Sequence, residues 1–356
     1  MQKLATLVIA ENNEGTQLND SLDNLLEYSD HKLYDIIVVS DGSEIPVDLS
    51  KYGDLVRHVA YPIRKGVGAA FDIGAEHVKT PNMFIMGSDI RFRDKDCIDN
   101  MLNYLETEDN NKSFICTTNL GISVAAGKTI FSEKLTARYA AKVLLFMKAA
   151  DLPQKGTEMK RLRRENAVDS FRNILEAKWL SRWNQGIYEV PCVLGAFYGV
   201  KTDWYNHIGG FHGHRYWGTL EPFISLKSWL AGGSCKIASD IETGHLFKSQ
   251  GSHYTRMSDT LYNKYAVTKI LFGKRVARKF FDFLGELGDN PDMKAAKWLA
   301  HANRKSLRAL HKEFLKVKSR DIHWFNERFP FKYYDVIKNT KDDTMRTKWY
   351  DRFLFK

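Results

Sequence analysis

The first third of the chain alternates continuous apolar runs with stretches of helical spacing. Residues 4–10 form an unbroken apolar run, residues 18–26 place leucines at helical intervals, and residues 35–40 (DIIVVS) are again apolar and β-branched. Residues 55–61 give a further strand, 67–78 a helix, 83–86 a fourth strand, 98–105 a helix and 114–117 another strand. Apolar runs that do not alternate with polar residues belong to strands covered on both faces. The pattern predicts an α/β fold, Rossmann-like, with a mainly parallel central sheet flanked by helices. Such sheets bind ligands at the C-terminal ends of their strands, so chemistry is sought in the residues just after each strand.

Length and composition narrow the picture. The chain has 356 residues, 44% of them hydrophobic, enough for one large domain with an appendage or for two domains. No stretch approaches the uncharged apolar length that a membrane-spanning helix needs, and the apolar run at 4–10 is too short for a signal peptide. The four cysteines, Cys97, Cys116, Cys192 and Cys235, are scattered and form no C-x-x-C pair. That predicts neither a disulfide framework nor a zinc site, and a cytoplasmic location. The net charge of +10 suits an acidic partner, either nucleic acid or an anionic membrane face.

Three strand ends carry candidate chemistry. Asp41-Gly42-Ser43 follows the second strand; its carboxylate can accept from the imide of a base such as uracil, although an ordinary Asp-Gly turn accounts for the residues equally well. Gly87-Ser88-Asp89 follows the fourth strand, and a carboxylate emerging there suits Mg²⁺ or Mn²⁺, which bridge to phosphates; a turn cap is the plainer alternative. Between them, Arg64-Lys65-Gly66-Val67-Gly68 precedes a helix whose N-terminus could hold phosphate.

Further on, Gly195-Ala196-Phe197-Tyr198-Gly199 leads to Ile208-Gly209-Gly210-Phe211 and Tyr216-Trp217-Gly218-Thr219-Leu220-Glu221-Pro222. Ser225, Lys227, Trp229, Gly232-Gly233 and Gly244-His245-Leu246-Phe247-Lys248 follow. Here the chain resembles the GT-A glycosyltransferases of the family-2 kind, above all the polypeptide N-acetylgalactosaminyltransferase branch. That branch carries W-G-x-E-N-x-E-x-S-x-R-x-W-x-x-G-G followed by G-H-[IV]-F-R. Trp217, Gly218, Ser225, Lys227 (for Arg), Trp229, Gly232 and Gly233 fall in that register without a gap. Asn13-Glu14-Gly15 and Ser40-Asp41-Gly42-Ser43 resemble the family's N-E and D-D-G-S signatures, so the resemblance spans roughly residues 4–250.

The resemblance implies a nucleotide-sugar donor, of UDP type, and a divalent metal, Mn²⁺ or Mg²⁺. It assigns the metal to Asp89 and His245, the former matching the last residue of the family's D-x-D or D-x-H motif. Gly87 stands where that motif's first carboxylate should be. Asp41 would recognise the base, with Ser40 replacing the first Asp of D-D-G-S. The donor set is Asp41, Arg64, Gly66, Ser88, Asp89, Gly195, Ala196, Trp217 and Lys248, with Trp217 shaping the sugar pocket and Lys248 and Arg256 in a lid over the diphosphate. Glu221, one position after the branch's own Glu, is the candidate catalytic residue. If Pro222 opens a helix, Glu221 sits at its N-terminus, where the dipole favours the ionised carboxylate and a general base could act; helix capping is the alternative.

The departures from the family concern the acceptor. A GT-A catalytic domain is expected over residues 1–250, with a basic insertion, rich in helix formers, at about 121–190. A basic, aromatic-rich helical extension follows over 251–356. The insertion contributes Lys155, Lys160, Arg161, Arg163 and Arg164, and the extension Lys274 and Arg275. These suit phosphates, although a solvated basic face is the commoner meaning of one such run. The first expectation is transfer of a sugar to a hydroxymethylated pyrimidine in DNA, as in phage DNA modification, with the base extruded. The alternatives are a peripheral enzyme acting on a lipid-linked or cell-surface glycan or a protein, with its basic face on anionic lipid, and a binding module that has lost catalysis.

Overall fold

The computed structural model describes residues 3–107, 111–125, 128–132, 138–144, 175, 177–181, 185–246, 256–286 and 291–329. Twelve strands are formed among these: β1 (Ala5–Glu11), β2 (Tyr34–Asp41), β3 (Val56–Tyr61), β4 (Asn82–Gly87), β5 (Ile90–Phe92), β6 (Ser113–Ala125), β7 (Lys128–Phe131), β8 (Arg138–Leu144), β9 (Ala177–Ser181), β10 (Ile187–Glu189), β11 (Phe197–Lys201) and β12 (Ser234–His245). The helices are α1 (Thr16–Glu27), α2 (Val67–Ala75), α3 (Cys97–Thr107), α4 (Thr202–Ile208), α5 (Leu220–Leu230), α6 (Met257–Glu286), α7 (Pro291–Ala302), α8 (Arg304–Val317) and α9 (Ile322–Arg328).

The N-terminal elements match the hydrophobic pattern to within a few residues. The apolar runs at 4–10, 35–40 and 83–86 are β1, β2 and β4, with interiors almost wholly buried, because helices cover both sides of the sheet. The main sheet runs β10-β12-β6-β11-β4-β1-β2-β3. Its β3-β2-β1-β4 half is parallel, as is the β12–β6 pair, but β11 lies antiparallel between β4 and β6. The sheet is therefore mixed: the chain re-enters through β11 from the opposite direction. That reversal sets the start of β11 beside the end of β4, where the Gly87 N–H donates to the Ala196 carbonyl at 2.9 Å.

Two hydrophobic cores flank the sheet. One, against α1 and α3, includes Leu7, Ile9, Leu22, Met86 and Phe197. The other takes α2, α4 and α5 and continues without a break into the C-terminal helices, so Val8, Phe71 and Trp229 belong to the same cluster as Tyr262, Ile270, Leu307 and Phe325. The extension after residue 250 thus shares the core of the sheet. The stretch expected as a helical insertion has described ends that are strands: β6 runs on to Ala125, and β7, β8, β9 and β10 follow. β-sheet pairing with β6 and β12 outweighs local helix propensity there. Lys155, Lys160, Arg161, Arg163 and Arg164 lie outside the described residues.

Lys227, standing for the family's arginine, ties α5 to the end of α4. Its ammonium is buried and donates to the carbonyls of Gly209 (2.8 Å) and Gly210 (2.6 Å), where α4 ends. Burial pushes it down to about 7, and the nearby Asp72 carboxylate opposes that shift. Asp72, itself buried and raised by desolvation, accepts from the Tyr205 hydroxyl (2.6 Å) and the Phe211 N–H (2.8 Å). Removing the cation leaves two carbonyls without their donor and takes a positive charge away from Asp72. Lys227→Met is expected to lower the unfolding free energy by about 2–4 kcal/mol in denaturant titration; a loss under about 1 kcal/mol would show that the network is not needed.

Candidate active site

The site lies where β4 and β12 end and β11 begins. β5 pairs antiparallel with the end of β12, matching Ile90 with His245. This register places the Asp89 carboxylate 3.6 Å from His245 Nε2, both side chains mostly buried, and the Leu246 N–H closes the turn on the Asp89 carbonyl at 3.1 Å. From beneath, Ser21 on α1 donates to the Ser88 carbonyl, and the buried Arg91 guanidinium donates to Ser21 and to the Ile90 carbonyl. Ser88 is thereby fixed through its backbone. Neither Ser21 nor Arg91 stands out in the sequence, since a serine on the apolar side of α1 carries no motif.

Two glycines leave room for two carboxylates. A Cβ placed on Gly87 would come within 2.7 Å of Asp89 Oδ1, so Asp89 reaches back over the position where the family has its first carboxylate. A Cβ on Gly195 would lie 2.0 Å from Glu221 Oε1, so the Glu221 carboxylate rests on the backbone at Gly195. Because Gly87 is hydrogen-bonded to Ala196, both carboxylates stand at the same β4–β11 junction. Burial lowers the pKa of His214 and raises that of Tyr198; the nearby Glu221 charge opposes the first shift and adds to the second.

An imidazole nitrogen and a carboxylate oxygen at this spacing suit Mn²⁺. Among the described residues no group of three His, Cys, Asp or Glu is placed to hold a metal. Two protein ligands are nonetheless a sufficient share where diphosphate oxygens supply the others, as is usual for ions bound with nucleotides. Asp89 and His245 therefore fit such an ion.

Helix α5 begins at Leu220, two residues before Pro222, and Glu221 lies in its first turn. The residue ahead of it, Thr219, is left-handed (φ 66), as are Gly218 (φ 94), Tyr216 (φ 47) and Gly213 (φ 96). This loop is pressed against Gly66: a Cβ there would sit 2.1 Å from the Tyr216 nitrogen, and Gly66 itself has φ 109. Only glycine allows both the approach and the backbone angle. Tyr216 N donates to the Lys65 carbonyl (3.2 Å), and Val67 N donates to the Tyr216 carbonyl (3.0 Å). Asp41 braces the same segment, its two oxygens accepting the N–H groups of Lys65 and Gly66 at 2.6 Å each. Arg64 packs over Tyr216 with 5.5 Å between guanidinium and ring centre. Trp217, in the loop that leads into Glu221, is 52% exposed. Lys248 lies outside the described residues, while Lys274 and Arg275 are exposed on α6, away from this junction in sequence and element.

A mixed α/β sheet flanked by helices, with an Asp–His pair and a glutamate where its strands meet, is the arrangement of a GT-A fold. Residues 6–143 match the model for glycosyl transferase family 2. It is 28% identical over 97 residues to "Probable N-acetylgalactosaminyltransferase 8" of Caenorhabditis elegans, covering 26% of this chain and 23% of that protein. It is 32% identical over 59 residues to polypeptide N-acetylgalactosaminyltransferase 8 of Drosophila melanogaster, covering 16% of this chain and 10% of the other. The matched region is thus a quarter or less of these curated relatives. The fold is similar to the crystal structure of GalNAc-T7 with UDP, GalNAc and Mn²⁺, with a TM-score of 0.64 and 17% identity over 95% of this chain and 58% of that one. No described helix is long and apolar enough to cross a membrane.

His214 lies within the strained loop and donates through Nε2 to the Gly218 carbonyl. Burial pushes its imidazole down to about 4, so the folded protein keeps it neutral while an unfolded chain protonates it below about 6.5. Stability from this residue is present above pH 6.5 and is lost as pH falls toward 4, by at most about 3 kcal/mol. Unfolding titrations of the protein and of His214→Gln across this range are expected to converge as pH falls; parallel profiles would refute a neutral buried imidazole.

Proposed function

We propose that the chain transfers a sugar from a nucleotide-sugar donor, of UDP type, to a hydroxyl group. The observation that carries this reading is the Asp89–His245 pair, 3.6 Å apart at the strand ends that ligands occupy in such sheets. In it, Asp89 and His245 hold a divalent ion against the donor diphosphate, and Arg64, Gly66 and Lys248 face the phosphates. Ser88, Gly195 and Ala196 line the donor, Asp41 faces the base, and Trp217 covers one face of the sugar. The chemistry such an ion supplies is neutralisation of the charge that develops on the departing nucleoside diphosphate. Glu221, partly buried in the first turn of α5, accepts the acceptor hydroxyl's proton as that oxygen attacks the sugar.

For the acceptor we propose a 5-hydroxymethylpyrimidine in DNA. Support comes from the net charge of +10 and from the basic helices: on α6, Lys269 is pushed down by burial and by its neighbours Lys274, Arg308 and Arg278. Cations gathered this closely favour a polyanion; Lys155, Lys160, Arg161, Arg163, Arg164, Lys274 and Arg275 are assigned to its phosphates. A protein hydroxyl is the second reading, favoured by the names of the curated relatives.

Asp89→Ala and His245→Ala are each expected to lower Mn²⁺-dependent hydrolysis of a UDP-sugar by about 100-fold or more; unchanged turnover in both would remove the metal assignment. Glu221→Gln is expected to keep donor affinity while losing about 100-fold or more in transfer, and normal transfer would leave it a helix-capping group. The acceptor is tested by incubation with hydroxymethylcytosine- or hydroxymethyluracil-containing DNA across a panel of UDP-sugars. A mass gain of one sugar is expected. Absence of gain across the panel, with gain on a serine- or threonine-containing peptide, would establish the second reading.

A further inference from the structure

The loop that carries Trp217 and leads into Glu221 is held in place by a residue far from every motif. Asn263, on α6, is fully buried. Its side-chain oxygen accepts the Arg215 N–H at 2.9 Å, and its amide donates to the carbonyls of Arg215 (2.7 Å), Trp217 (3.0 Å) and Gly218 (3.4 Å). One side chain thus engages the backbone of the loop at three positions: 215, 217 and 218. The same face of α6 adds an Asp259–Arg215 ion pair at 3.4 Å, a Tyr262 hydroxyl donating to the Gly213 carbonyl at 3.5 Å, and Thr260 packed against Gly218.

This grip matters because the loop does not hold its shape unaided. Tyr216 and Thr219 are non-glycine residues in left-handed backbone, a conformation that persists only where its surroundings enforce it. On one side the enforcement comes from Lys65–Val67. On the other it comes from Asn263, whose hydrogen bonds satisfy carbonyls that a relaxed loop would turn to water. Asparagine suits the place because it alone offers, on so short a stem, both the acceptor and the paired donors that this geometry uses.

We propose that Asn263 is the positioning residue of the sugar site, setting Trp217 and the Glu221-bearing first turn of α5 for transfer. The proposal rests on the reading of the chain as a nucleotide-sugar transferase. It also gives the C-terminal helices a part in the donor site itself, besides any contact they make with an acceptor.

The test uses Asn263→Ala and Asn263→Asp in the full chain, with three readouts: UDP affinity in the presence of Mn²⁺, kcat and KM for UDP-sugar hydrolysis, and amide hydrogen exchange over residues 214–219. UDP lacks the sugar, so its affinity is expected to stay within about twofold, which also certifies the fold. Turnover is expected to fall about tenfold or more in the alanine variant, and exchange to rise by a similar factor. Aspartate, though the same shape, turns an oxygen toward three carbonyls and is expected to be worse than alanine. A residue serving α6 alone would behave oppositely, since alanine is the better helix former. Hydrolysis within twofold of the parent and unchanged exchange in Asn263→Ala would overturn the proposal. If the parent protein turns over no UDP-sugar at all, the functional reading falls, and exchange over 214–219 alone decides whether Asn263 is the clamp.

Discussion

Close backbone approach at the β4–β11 junction is the constraint on which the site depends. The hydrogen bond from Gly87 to Ala196 brings the end of one strand against the start of an antiparallel neighbour. The absence of side chains at Gly87 and Gly195 leaves the space that the Asp89 and Glu221 carboxylates fill. A larger residue at either glycine would displace a carboxylate rather than merely crowd a core. Gly87 brings no carboxylate of its own, and Asp89 occupies the room above it and faces His245.

The second determinant is the left-handed loop from Gly213 to Thr219. It is pinned between Gly66 and the α6 face that includes Asn263, and it leads into the turn of α5 that sets Glu221 against Gly195. Asp41 contributes from behind by holding the Lys65–Gly66 backbone. Its carboxylate is thus committed in part to structure, and any contact with a base would be made by lone pairs these bonds leave over. The C-terminal helices share one core with the sheet, which explains how a helix some forty residues beyond the loop can set its conformation.

Much of this was legible in the sequence. The runs at 4–10, 35–40 and 83–86 announced β1, β2 and β4 because both faces of those strands are covered. The Trp217–Gly233 block and Gly244-His245 pointed to a family-2 glycosyltransferase, whose model matches residues 6–143, and to His245, which lies beside Asp89. What stayed hidden was set by tertiary contacts. Helix α5 starts before Pro222 because a left-handed Thr219 precedes it, and no propensity signals that. Helix formers after residue 120 gave way to strands where pairing with β6 was available. Asn263, Ser21 and Arg91 act through backbone carbonyls remote in sequence, a role with no local pattern.

The most direct test of the central claim is a high-resolution structure of the protein with Mn²⁺ and UDP. The account predicts one ion held by Asp89 and His245 and by diphosphate oxygens, with Gly87 contributing no ligand and Asp89 remaining over Gly87. An ion bound elsewhere, or UDP bound at these strand ends with Asp89 and His245 turned away from it, would contradict the account.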